Sequence, residues 1–214
     1  MPDAESPTRV AFAATGVANL ASIMAVFRRA GAEPYLAADP SDLAGAAFAV
    51  VPGVGSFGSA MAALRSAGMD EAIRYRATRL APTLGVCAGM QIFFEESEES
   101  PGVPGMGIVE GAFRRFPSSL PVPQLGWNRV FAQGANTVTL VREGWAYFAN
   151  SYRLTEAPAL FAANRAEYGE SFVASAERPG LLLCQFHPEL SGPWGLALIE
   201  RWLAAGEEAK GRTA

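Results

Sequence analysis

The run Thr83-Leu84-Gly85-Val86-Cys87-Ala88-Gly89 sets a short β-prone stretch against a turn built from small residues. Gly-x-Cys-x-Gly between a strand and a helix is the thiol counterpart of the Gly-x-Ser-x-Gly elbow. Such an elbow needs a strand that ends at the sheet's carboxyl edge and a helix that turns straight back over the sheet. That requirement points to an α/β chain with a parallel sheet covered on both faces. The nucleophile's backbone is strained at this turn, and glycine neighbours let the turn close and a substrate approach. The helix N-terminus beside the sulfur also favours negative charge there. Cys184, the second of two cysteines, lies inside the apolar run Leu181-Leu182-Leu183-Cys184 and reads as a structural core residue.

A thiol nucleophile needs a base, and the chain has a single histidine, in Gln185-Phe186-His187-Pro188-Glu189. If this segment is extended, positions i and i+2 share a face, so Glu189 can sit beside the His187 imidazole and orient it. Cys87, His187 and Glu189 then form a nucleophile, a base and an orienting acid.

The flanking pattern agrees with such a sheet. Arg9 to Ala14 and Ala47 to Val51 read as buried strands. Asn19 to Ala30 carries Leu20, Ile23, Met24 and Phe27 at i, i+3, i+4 and i+7, a helix face that Gly31 closes. Further helices are expected from about Phe57 to Ala67 and from Asp70 to Arg79, with another starting near Ala88. After about Pro101 the texture changes to short β-like runs: Thr137 to Val141, Trp145 to Phe148, and Ser171 to Ala174. Glu177-Arg178-Pro179-Gly180 reads as a turn into Leu181 to Phe186. Ser191 and Pro193 suit the N-cap and first turn of a last helix. The expectation is one domain over residues 1–214, its core about 9–204: an open, mostly parallel or mixed sheet flanked by helices, with added short strands in the second half.

Pro52-Gly53-Val54-Gly55 follows a strand, where glycine lets a backbone N–H aim inward as an oxyanion donor. Gln91 lies one helical turn past Cys87 and can face the same pocket. The run Glu95-Glu96-Ser97-Glu98-Glu99 has the composition of a solvated charged end.

Taken together, Gly85-Val86-Cys87-Ala88-Gly89-Met90-Gln91 and Gln185-Phe186-His187-Pro188-Glu189 resemble the class I glutamine amidotransferases. The runs Gly126-Trp127-Asn128 and Asn150-Ser151-Tyr152 make the chain similar, within that family, to the glutaminase subunits of imidazole glycerol phosphate synthase. The resemblance implies that Cys87 attacks the glutamine amide, that His187 shuttles the proton and that Glu189 orients His187. It implies oxyanion donors from Gly53, Val54 and Ala88, and a glutamine site made by Gln91, Glu99, Ser151 and Tyr152. It implies a (β/α)8-barrel cyclase partner as the ammonia acceptor, met by Asn19, Trp127, Asn128 and Leu190. No cofactor and no metal are implied.

Three places depart from the family pattern. The first loop reads Ala14-Thr15-Gly16-Val17-Ala18-Asn19 instead of Asp-Tyr-Gly-x-Gly-Asn, Ala88 replaces a larger aliphatic residue, and Leu190 replaces a lysine expected to face the cyclase. Two other readings carry different partners: a glutaminase serving another synthase, such as a sugar-amidating pair, and a non-catalytic scaffold. Composition narrows the rest. With 17 Lys+Arg against 21 Asp+Glu, the surface does not suit a nucleic-acid backbone. No apolar run reaches the roughly 20 residues of a membrane span. The polar start has no signal-peptide pattern, and two lone cysteines suggest a reducing cytoplasm.

Overall fold

The computed structural model describes residues 7–14, 20–53, 55–132 and 140–211. In its first part strands and helices alternate: β1 (Arg9–Phe12), α1 (Leu20–Arg29), β2 (Glu33–Leu36), α2 (Pro40–Gly45), β3 (Phe48–Gly53), α3 (Phe57–Ser66), α4 (Met69–Thr78), β4 (Thr83–Cys87) and α5 (Ala88–Gln91). Strands then dominate: β5 (Glu96–Ser97), β6 (Ala112–Arg115), β7 (Gln124–Ala132), β8 (Gly144–Asn150), β9 (Tyr152–Arg153), β10 (Ala162–Glu167), β11 (Ser171–Arg178) and β12 (Leu181–Cys184). A 3₁₀ turn, Pro188–Leu190, leads into α6 (Gly192–Gly211).

These strands build a nine-stranded sheet in the order β2-β1-β3-β4-β12-β11-β10-β7-β8 and a small sheet β5-β6-β9. From β2 to β12 neighbouring strands are parallel; from β12 through β11 to β8 they are antiparallel. The mixed sheet expected from the change of texture is therefore one sheet with two halves.

Alternation along each strand divides the core. Val10 and Phe12 pack in the layer with α1 and α6, while Ala11 and Ala13 pack with α2, α3, α4 and α5. Trp202 of α6 ties its layer together, meeting Phe27 and Phe48 edge-on at 6.0 and 5.2 Å. In the other layer, fully buried Arg76 of α4 donates to the carbonyls of Leu43, Ala46 and Pro82, and to Thr83 Oγ1. It thereby ties the partly negative C-terminal end of α2 to the entry of β4. Burial pushes its pKa down to about 10, so it keeps its charge at neutral pH.

Some boundaries differ from the sequence reading. Glu177 and Arg178 belong to β11, so the turn into β12 narrows to Pro179-Gly180, where Gly180 has φ +77°. The helix after Cys87 lasts four residues. Phe93 and Phe94 are both drawn into the core, and the chain tightens through i→i+3 bonds from Phe93 N to Met90 O and from Phe94 N to Gln91 O. β2, α2, β6, β7 and β10 carry no pattern that the sequence reading picked out. Of the strand expected over Thr137 to Val141, only Leu140 and Val141 lie within the described residues. No described helix is long and apolar enough to cross a membrane.

Candidate active site

The sheet register assembles the site. β3 pairs with β4 so that Gly53 stands opposite Cys87, and β12 pairs on the other side so that Cys184 stands opposite Val86. Gly53 and Gln185, the residue after β12, therefore flank the elbow at the carboxyl edge of the parallel half, where ligand sites of open α/β sheets collect.

Cys87 itself has φ +54° and ψ −117°, a region that side chains other than glycine rarely enter. Its neighbours make that conformation possible. A Cβ on Gly53 would lie 1.9 Å from Gly89 N, and one on Gly89 would lie 2.0 Å from Val51 O. Glycine at both positions lets the first turn of α5 press against β3. α5 begins directly after the sulfur-bearing residue, and the helix itself leaves the Ala88 N–H unpaired. Val54, the other expected oxyanion residue, lies outside the described residues, as does Asn19.

His187 reaches the elbow from the far side of β12. Its backbone N–H donates to Tyr147 O at 2.8 Å, anchoring the segment to β8. Its ring Nδ1 lies 2.9 Å from Glu189 Oε1, with both side chains only 7% exposed. The carboxylate and imidazole meet by a different backbone from the one expected. His187 is extended, but Pro188–Leu190 form a 3₁₀ turn, and the turn brings Glu189 back onto the ring. Burial works against the imidazolium. Hydrogen bonds to Cys87 and Glu189, and the charges of both, outweigh it and push the His187 pKa up to about 10. A buried, cationic imidazole against a thiol and a carboxylate is the arrangement that holds a thiolate and can return its proton to a leaving group.

Ser191 does not cap α6 with its side chain. Its Oγ accepts from Tyr147 N at 2.9 Å and donates to His187 O at 2.6 Å, so it bolts the histidine segment to β8. Nothing in the local sequence signals this, because Ser followed by Gly-Pro looks like a helix cap.

The fold and site match known proteins. A family profile for glutamine amidotransferase class-I matches residues 33–205. The imidazole glycerol phosphate synthase subunit HisH of Symbiobacterium thermophilum is 38% identical over 91% of this chain and 92% of its own length. A subunit of the same name from Thermus thermophilus is 41% identical over 86% of this chain and 91% of its own. The chain belongs to the class-I glutamine amidotransferases, in the HisH subunit family. Among solved structures, a glutamine amidotransferase has the same fold with a TM-score of 0.74 at 18% identity, covering 92% of this chain and 98% of that one. PurLQS from Thermotoga maritima has a TM-score of 0.71 at 16% identity over 94% and 99%.

In this amidotransferase the remaining expected residues divide into three groups. Gln91 is buried beside the elbow, but its amide donates to Gln185 Oε1 at 3.0 Å, and Gln185 in turn faces the sulfur. Glu99 accepts from Phe57 N at 2.6 Å, at the start of α3 just beyond the Gly53 loop. The other acids of its run are engaged rather than freely solvated: Glu95 accepts from Gly111 N, Glu96 pairs with Arg114, and Glu98 accepts from Arg115 N. Ser151 and Tyr152 follow β8, whose Ala149 carbonyl lies 4.0 Å from Cys87 Sγ, and both are half-buried.

The expected partner residues do not all face one way. Trp127 and Leu190 are exposed, together with Leu125 and Trp145, and Trp127 meets Tyr147 edge-on at 6.2 Å. Asn128, next to Trp127 on β7, points to the other face, and its amide donates to Glu167 O of β10.

Proposed function

We propose that this chain hydrolyses L-glutamine to glutamate and ammonia and delivers the ammonia to a (β/α)8-barrel cyclase subunit. The cyclase uses it to make imidazole glycerol phosphate and an aminoimidazole carboxamide ribotide in histidine biosynthesis, in a cytoplasmic heterodimer. The observation that carries the reading is Cys87, held at positive φ on the elbow, beside a buried His187 whose Nδ1 meets Glu189 Oε1 at 2.9 Å.

The steps follow from that pair. The Cys87 thiolate attacks the side-chain carbonyl of glutamine, and an S–C bond forms. Negative charge on the carbonyl oxygen is met by N–H groups from Gly53, Val54 and Ala88. The C–N bond then breaks, His187 gives its proton to the departing nitrogen, and ammonia leaves a glutamyl thioester. Water attacks the thioester, the now neutral His187 takes a proton, and glutamate and the thiolate are released. Gln91, Glu99, Ser151 and Tyr152 hold the amino-acid end of glutamine. Trp127 and Leu190, with Asn19, contribute to the cyclase face, where exposed aromatic and aliphatic side chains suit a protein partner; Asn128, turned to the other face, braces β7 against β10.

Cys87→Ser tests the reading. It should abolish glutamate release, whereas Cys184→Ser should keep most of it, since Cys184 is fully buried in β12 and burial pushes its thiol pKa well up. With the cyclase present and ammonium salt supplied, Cys87→Ser should still support ring formation, because that route bypasses the thiol. A Cys87→Ser protein that hydrolyses glutamine at the unsubstituted rate would overturn the mechanism.

A further inference from the structure

The register that sets Cys184 opposite Val86 brings the next residue of the chain, Gln185, alongside Cys87. Gln185 is completely buried, and both ends of its amide are engaged. Its Nε2 lies 3.7 Å from Cys87 Sγ, within reach of an N–H···S bond, and its Oε1 accepts from Gln91 Nε2 at 3.0 Å. The two bonds run in one sense, from Gln91 to Gln185 and from Gln185 to the sulfur. Because Gln91 donates to the Gln185 oxygen, the amide nitrogen of Gln185 is the end that faces sulfur. Reversing both amides would turn a second carbonyl oxygen on the sulfur, beside that of Ala149, which only a protonated thiol would satisfy. A buried amide is costly unless its bonds are made, and an apolar side chain would fill the same space without that cost.

We propose that Gln185 is a neutral hydrogen-bond donor to the Cys87 thiolate, and that Gln91 is the positioning residue that orients it. This rests on the reading of Cys87 as the nucleophile. The titratable groups that face Cys87 are His187, from the segment after β12, and Glu189 behind it. β3, β8 and α5 present backbone at Gly53, Ala149 and Ala88. Gln185 thus adds a neutral donor to a site whose only facing charged groups are His187 and Glu189. A donor that does not titrate holds the sulfur ionised and aimed while His187 gives its proton away.

The test reads thiolate formation directly, without substrate. In the full-length chain, the rate of iodoacetamide alkylation at Cys87 is followed against pH by mass spectrometry of the Cys87 peptide. Gln185→Met keeps a similar volume and removes the N–H. Its acid limb should move up by about one pH unit, with alkylation on that limb about tenfold slower. Gln91→Met, which leaves Gln185 in place but unoriented, should shift the limb the same way by less. The double variant should go no further than Gln185→Met. A residue with a merely structural role would leave the limb where it is. Should Gln185→Met fail to fold, Gln91→Met alone decides: an unmoved limb there overturns the relay, as does an unmoved limb in a folded Gln185→Met. Glutamate release by Cys87→Ser separates the two readings. If that variant is inactive while the limb stays put, only the relay falls. If it stays active, the nucleophile reading falls with it.

Discussion

Replacing Glu189 with glutamine keeps the shape of the orienting group and removes its charge. His187 Nδ1 and Glu189 Oε1 are 2.9 Å apart with side chains 7% exposed, so the bond is shielded from solvent. The substituted amide would still offer an oxygen to the Nδ1 proton, but as a neutral acceptor. A hydrogen bond to a charged group is worth roughly 1.5–3 kcal/mol and a neutral one about 0.5–1.5, so the imidazolium loses on the order of 1.4 kcal/mol, about one pH unit. The His187 pKa, now pushed up to about 10, should therefore drop by about one unit.

The sign carries over to stability. A folded pKa above the ordinary 6.5 contributes stability that is complete below 6.5 and is lost as pH rises through about 10. Glu189→Gln should bring that loss about one unit lower. The chain has a single histidine, so one imidazole resonance followed by NMR across the alkaline range reads the titration without overlap. The alkaline limb of glutaminase kcat should move with it. What is measured belongs to the Cys87–His187 pair as a unit, and the shift between variants is the quantity to compare. A wild-type resonance that titrates near 6.5, or one that does not move in Glu189→Gln, would refute the claim that the carboxylate holds the imidazole charged.

Three further outcomes follow from the geometry. Ser191→Ala removes the bolt between His187 O and Tyr147 N, and kcat should fall about tenfold with little change in KM for glutamine; an unchanged kcat would show that the backbone holds His187 without it. Gly53→Ala would set a Cβ 1.9 Å from Gly89 N, so it should destabilise the chain by about 3 kcal/mol or more in urea unfolding; a near-neutral result would mean that the elbow relaxes freely. Leu190 is 42% exposed, and Leu190→Lys should weaken association with the native cyclase or its stimulation of the glutaminase, measured by calorimetry and ligand-stimulated rates. Tighter binding with stronger stimulation would instead show that an ion pair is still accommodated there.

Local pattern was enough for the parallel half of the sheet apart from its edge strand β2. Strands β1, β3 and β4 and helices α1, α3 and α4 are written in apolar runs and 3.6-residue periods, and the elbow is marked by Gly85 and Gly89 around one cysteine. The sole histidine and the acid two residues on were legible as partners for that cysteine, though the 3₁₀ turn that joins them was not. Strands such as β7 and β10 were missed because their burial comes from neighbours far along the chain, and short half-buried strands carry little period of their own.

The same reason separates the residues of the site. Cys87, His187 and Glu189 are recognised by type and spacing. The contacts of Gln185 to Cys87, Gln91 to Gln185 and Cys87 to Ala149 join positions 98, 94 and 62 residues apart. Such contacts exist only once β12 lies beside β4 and the 3₁₀ turn after it bridges to β8. Ser191 looked like a helix cap and became a bolt, and Glu99 looked like part of a solvated acidic run and became the acceptor at the start of α3. The sequence by itself determined which groups are able to carry chemistry, because reactivity is a property of residue type. The tertiary structure alone decided which backbone and amide groups surround them, because each such partner is supplied by strand order and register rather than by neighbours in the chain.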